Sequence, residues 1–248
     1  MIKDHSQVRI FPDLSALSRE AAEFFTVLCS DAVRQRKRFT AVLSGGSTPR
    51  TLYQVLASSD FRERIPWSCV HLFWGDERCV PPEHPDSNYR MAREDLLSRI
   101  TIPPENIHRM PGEADPVQGA EIYDKELREF FKGPKIPEFD MIILGLGTDG
   151  HTASLFPLSS ALKESGRLVV PVSVQNILHQ RLTLTLPVIN HARNILFLVA
   201  GREKARVLAQ VLDEKTDPDR IPARAVRSGR GKVLWFADED AASLLKRD

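Results

Sequence analysis

Three short apolar runs, each breaking into a polar loop with glycine, set the strongest limit on what this chain can fold into. Phe39 to Leu43 breaks at Ser44-Gly45-Gly46-Ser47-Thr48-Pro49, and Val70 to Trp74 ends in Gly75-Asp76-Glu77-Arg78. Met141 to Leu146 ends in Gly145-Leu146-Gly147-Thr148-Asp149-Gly150-His151. Apolar runs of this length between turn residues are buried strands. Helical patterns separate them. Leu14, Leu17, Ala21, Phe24, Phe25, Leu28 and Cys29 recur at helical spacing after a short strand over Val8 to Phe11. Leu52, Val55 and Leu56 mark a second helix, for which Thr48 is the expected N-cap with Pro49 at the first helical position.

The alternation continues. Tyr89 to Ile100 reads as a helix capped from Asp86, Ser87 or Asn88, and Asp115 to Phe131 as another. Leu168 to Val172, Arg181 to Leu186 and Asn194 to Ala200 are strand candidates. Arg202 to Leu212 reads as a helix, and Lys232 to Phe236 as a last strand before a short C-terminal helix. The basic run Arg34 to Arg38 reads as a solvated last helical turn, where cations suit the dipole. The order βαβαβ predicts an α/β fold: a doubly wound, mainly parallel sheet flanked by helices, one domain over residues 1–248. In such sheets ligands bind beyond the carboxyl ends of the strands. The polar glycine loops all fall there, which argues for one site.

Composition narrows the classes. Thirty-four basic residues against 33 acidic ones give no electrostatic case for nucleic acid or an anionic membrane. No apolar run is long enough to span a bilayer, and Met1 to Ser6 shows no leader-like apolar stretch. Cys29, Cys69 and Cys79 form no CxxC pair and are expected to be free thiols in a reducing cytoplasm. Cys79 and His84 could be imagined as metal ligands, but nothing in the sequence supplies the rest of a zinc set, so no metal is expected.

The loops carry the chemistry. In Ser44-Gly45-Gly46-Ser47-Thr48, glycines admit an anion to backbone N–H groups, hydroxyls add donors, and a helix N-terminus points at the same place. This suits a phosphate. No Gly-Lys-Ser/Thr follows, so it is not an ATP loop, and Pro49 stands where a nucleophile elbow needs glycine. Gly145-x-Gly147-x-x-Gly150 matches a dinucleotide fingerprint. However, Leu168-Val169-Val170-Pro171 lacks the acidic residue such a site needs, and Asp149 and His151 crowd the pyrophosphate position. The better reading is a loop that presents His151 as a base near neutral pH, with Asp149 to orient it. Asp76-Glu77-Arg78 clusters charges at another strand end, and Arg78 could clamp a phosphate or stabilise an oxyanion. Arg181 opens an apolar strand. Lys204 puts a cation in a first helical turn, which fits best with an anion nearby. His71 reads as a core histidine, and His84 as either core or functional.

Three blocks carry a family resemblance. They are Leu43 to Pro49, then Trp74-Gly75-Asp76-Glu77-Arg78 with His84-Pro85-Asp86-Ser87-Asn88-Tyr89, then Gly145 to Pro157. Weaker blocks are Arg181 to Pro187, Gly201 to Ala205 and Ile221-Pro222-Ala223. In these the chain resembles the 6-phosphogluconolactonase family, which is related to the glucosamine-6-phosphate deaminases/isomerases. The resemblance implies a cytoplasmic enzyme of the pentose phosphate pathway without a cofactor. It would hydrolyse 6-phospho-D-glucono-1,5-lactone, and be a monomer or small homo-oligomer. It implies His151 as general base with Asp149 beside it. Ser44, Gly45, Gly46, Ser47, Thr48, Arg78, Arg181 and Lys204 would then hold phosphate and sugar. Either Asp76 or Asp149 could fix the imidazole tautomer. The deaminase branch carries Glu before the proline of the third block, where Phe156 stands here, and Tyr where Arg78 stands. A sugar-phosphate sensor would need a DNA-binding segment, and no stretch is left for one.

Overall fold

The strands read as unbroken apolar runs because helices cover them on both faces. The computed structural model describes residues 6–132, 136–174, 178–229 and 231–245. Its main sheet has seven strands: β1 (Ser6–Phe11), β2 (Phe39–Leu43), β3 (Val70–Trp74), β5 (Ile107–His108), β6 (Met141–Leu144), β9 (Asn194–Val199) and β10 (Lys232–Asp238). All pairings in it are parallel, in the order β1-β10-β9-β6-β2-β3-β5. From β2 the chain moves outward through β3 to β5, then returns to β6 on the other side of β2. The order therefore reverses between β2 and β6. That is where an open α/β sheet leaves a crevice at its carboxyl edge.

Three further strands form a separate antiparallel sheet: β4 (Asp76–Arg78), β7 (Val169–Val172) and β8 (Arg181–Leu184), in the order β4-β8-β7. Two strand candidates, Leu168 to Val172 and Arg181 to Leu186, thus lie outside the parallel sheet. Asp76-Glu77-Arg78, expected as a loop, is itself a strand. Gly75 joins the two sheets: its N–H donates to Leu43 at 2.9 Å, and its carbonyl accepts from Leu184 at 2.8 Å.

The helices are α1 (Leu14–Arg36), α2 (Ser47–Leu56), α3 (Ser59–Arg62), α4 (Asn88–Asp95), α5 (Pro116–Phe131), α6 (Leu186–Asn190) and α7 (Ala205–Leu212). Helix α1 packs on β1, β2 and β10, and α5 covers β7 and β8. Asp115 caps α5 through the N–H groups of Val117 and Gln118, a contact worth about 1 kcal/mol. Among the three candidates, Ser87 caps α4, accepting from Arg90 N–H at 3.1 Å. That helix stops at Asp95, and Leu97–Arg99 continues as a 3₁₀ turn. Helix α2 starts two residues earlier than expected. Gly46, at φ 106°, is its N-cap, and Thr48 and Pro49 lie inside the first turn. The basic run ends α1 as expected, with Lys37 in the left-handed region and Arg36 paired to Asp140. The expected C-terminal helix is a series of turns through Leu245, with 246–248 outside the described residues. Met1 to His5 of the stretch inspected for a leader also lie outside them. No helix among the described residues is long and apolar enough to cross a membrane.

Candidate active site

At the crevice between β2 and β6 lies a cleft of about 210 Å³. Its wall contains Ser44, Gly45, Gly46, Ser47, Thr48, Asp76, Arg78, His151 and Lys204. Sequence reasoning had singled out all nine. Asp149 stands behind His151, and Arg181 lies outside the wall.

His151 and Asp149 sit on the loop after β6. Oδ1 of Asp149 lies 2.6 Å from Nδ1 of His151 and also accepts the His151 backbone N–H at 3.1 Å. An ionised carboxylate only accepts, so in the neutral imidazole Nδ1 carries the proton and Nε2 keeps its lone pair. Burial works against the charged form of Asp149. The hydrogen bonds and charge of His151 together outweigh it, and the carboxyl sits below its ordinary range. The glycines serve this pair. A Cβ on Gly147 would fall 2.1 Å from Nδ1 of His151 and 2.6 Å from Oδ1 of Asp149. Gly150 has φ +86°, and its Cβ would strike Ile221. The spacing that resembles a dinucleotide fingerprint therefore makes room for an Asp–His pair. The ring of Phe156 packs against the imidazole with centroids 4.6 Å apart.

Asp76 does not bond to His151. It is buried, and its Oδ2 accepts the Ser154 hydroxyl at 2.8 Å, which ties β4 to the loop after β6. Glu77 is buried too, and burial pushes its carboxyl up despite donation from the N–H groups of Tyr89, Asn88 and Arg78. It also accepts the Ser87 hydroxyl, so it anchors the start of α4. Arg78 donates through Nη1 to the Asp86 carbonyl at 2.5 Å. Arg181 faces Arg78 in the β4–β8 register, and its Nη1 donates to the His179 carbonyl at 3.1 Å. Burial and then the charge of Arg78 lower its basicity.

The loop after β2 leads into α2, whose N-terminus has no side-chain cap and opens on the cleft. Ser47 and Thr48 sit in its first turn. Ser44 is different: its hydroxyl donates to the Ile143 carbonyl at 2.7 Å and is buried. It braces β2 against β6 and is not a free donor. Lys204 enters from the turn after β9 and immediately precedes α7. A cleft carrying an open helix N-terminus, Arg78 and Lys204 suits an anion.

The family model described as glucosamine-6-phosphate isomerases/6-phosphogluconolactonase matches residues 12–235. The chain belongs to this family. Within it, a 6-phosphogluconolactonase of Synechocystis is 42% identical over 243 residues, covering 97% of this chain and 98% of the relative. A 6-phosphogluconolactonase of Homo sapiens is 41% identical over 215 residues, covering 85% and 82% respectively. The solved 6-phosphogluconolactonase of Trypanosoma brucei superposes with TM-score 0.86 at 31% identity, over 97% of this chain and 99% of that one. A monomeric glucosamine-6-phosphate deaminase shares the fold at TM-score 0.80 and 22% identity, over 96% and 99%.

Two wall residues with polar side chains, Asn88 and Thr152, were missed as site residues. Asn88 is buried, donates to the Asp76 carbonyl at 2.9 Å, and its Oδ1 has no partner among the described residues. A Cβ on Gly45 would collide with that oxygen, so only glycine fits beside it. Thr152 bonds the Gly145 carbonyl at 2.9 Å and shapes the same loop. Both lie inside the matching blocks, next to residues whose charge drew more notice. His71, expected in the core, is only half-buried, and its Nδ1 lies 3.1 Å from Nε2 of His108. The three cysteines are free thiols.

Proposed function

We propose that this chain hydrolyses 6-phospho-D-glucono-1,5-lactone to 6-phospho-D-gluconate, as a cytoplasmic enzyme of the oxidative pentose phosphate pathway. The observation that carries this reading is the His151–Asp149 pair in the wall of a cleft that also holds an open helix N-terminus. The substrate phosphate docks at the first turn of α2, against Ser47, Thr48 and the Gly45–Gly46 backbone, with Lys204 beside it. Arg181 contributes positive charge from behind Arg78. The ring then extends toward His151.

Nε2 of His151 takes a proton from water as the water attacks C1. Asp149 holds the tautomer and stabilises the imidazolium that forms. Arg78, a wall residue held by the Asp86 carbonyl, is the side-chain donor for the developing oxyanion on this reading. The tetrahedral intermediate collapses with loss of the ring oxygen, which takes the proton back from His151. A δ-lactone is an activated ester, so positioning and one base suffice. A sugar hydroxyl donating to Oδ1 of Asn88 would satisfy a buried acceptor that otherwise costs about 1–3 kcal/mol.

Phe156 favours this reaction over deamination. The apolar ring against His151 stands where a second carboxylate would be needed for ring opening. The test is a coupled assay in which the lactone is generated from glucose 6-phosphate and its loss is followed against the spontaneous rate. Acceleration that vanishes in His151→Ala supports the reading. A rate equal to background rejects it and makes glucosamine 6-phosphate the next substrate to try.

A further inference from the structure

A second group of chemistry-bearing side chains lies beyond the cleft wall. His84, Asp86 and His179 each offer one donor atom, all within 4.8 Å of one another. Nε2 of His179 is 3.0 Å from Oδ2 of Asp86, and Nδ1 of His84 is 3.9 Å from the same oxygen. The two imidazoles meet edge to face with centroids 5.3 Å apart. Their side chains are 21–48% exposed, so a hydrated ion can reach them.

We propose that His84, Asp86 and His179 bind a divalent transition-metal ion of the Zn²⁺ type. Two imidazoles and one carboxylate favour such ions over Mg²⁺ or Ca²⁺, and leave a coordination position to water. A tetrahedral ion with bonds of about 2.0–2.1 Å keeps its ligands about 3.3 Å apart, so the His179–Asp86 separation of 3.0 Å already fits, while His84, 3.9 Å from Asp86, must draw inward to bind. Coordination through Nδ1 of His84 replaces the hydrogen bond that atom now accepts from the Asp86 N–H. A plain ion pair between His179 and Asp86 would be weak at this exposure.

The ligands come from two segments far apart in sequence, the loop after β4 and the approach to β8. The same residues support the two arginines: the Asp86 carbonyl holds Arg78 and the His179 carbonyl holds Arg181. A bound ion therefore staples the two backbone supports together. Hydrolysis does not pass through it, and the site stands whether or not the lactonase reading does.

The test titrates the full, tag-free, chelator-treated chain with Co²⁺, following visible absorption, and then displaces it with Zn²⁺. The expected result is one saturable equivalent, weakened at least tenfold in His84→Ala and His179→Ala and unchanged in His151→Ala. Zn²⁺ at about a hundred times its Kd should raise Tm by about 5 °C or more. That gain should be absent in Asp86→Asn, which keeps the carbonyl and the side-chain shape. Absence of saturable binding overturns the site. Binding of equal strength in His84→Ala, His179→Ala and Asp86→Asn, each with a metal-free melt like the parent, overturns it as well.

Discussion

A Cβ on Gly147 would stand 2.1 Å from Nδ1 of His151, so the imidazole and its carboxylate partner lie directly across a residue without a side chain. The atoms it would meet belong to movable side chains, so Gly147→Ala should fold and misplace the base. We expect kcat to fall about 100-fold, the scale of a 1 Å error in a catalytic group. Gly145→Ala meets no protein atom within 4 Å, so it should leave the Asp149–His151 pair in place and lower kcat less. Equal turnover in the two variants would contradict this account of the loop.

His151→Ala should lower kcat by about 10²–10⁴ with little change in KM, since the base acts in the transition state. Asp149→Asn should follow it in kcat at neutral pH. Asp76→Asn should act differently, because its buried carboxylate holds Ser154 and Asn88. There the expected effect is a lower Tm. Steady-state kinetics and melting curves on the three proteins separate the roles. A normal kcat in Asp149→Asn would return the orienting role to Asp76.

Lys204→Ala should raise KM for the phosphorylated lactone about tenfold or more, the worth of one charge-assisted contact. Arg181→Ala should raise it less, because its guanidinium lies behind Arg78 and outside the wall. If Arg181→Ala has the larger effect, the phosphate sits nearer the small sheet than α2.

Stability should depend on His71. Burial, then the neighbouring His108 and Arg38, push its pKa down to about 4, so it is neutral in the fold. The unfolded chain protonates it near 6.5. Between those values the unfolded state binds the extra proton, and stability falls as pH falls through that window. A Tm series from pH 7 to pH 4 checks this. His71→Gln should show a shallower decline, and an unchanged slope would remove His71 as a cause.

The parallel core was legible because β2, β6 and β9, covered on both faces, are almost wholly apolar. Strand β4 was not, because Asp-Glu-Arg has no strand signature and becomes one only by pairing with Arg181 to Thr183. The two-residue β5 is too short to show a period. At the site, His151 and the α2 loop stood out through residue type and strand-end position. Which carboxylate reaches the imidazole depends on the turn set by Gly147 and Gly150, and spacing does not encode that. The inward turn of the Ser44 hydroxyl, and the meeting of His84 with His179, are likewise products of packing.

The Ser44 hydroxyl joins the strand that leads to the α2 N-terminus to the strand that leads to His151. On the proposed reading, these are the two ends between which the substrate is stretched. Neighbouring strands are held about 4.8 Å apart, so the span from anchor to base is rigid. The enzyme then measures its substrate like a gauge block: a lactone with its phosphate one carbon nearer the carbonyl can seat one end or the other, but not both.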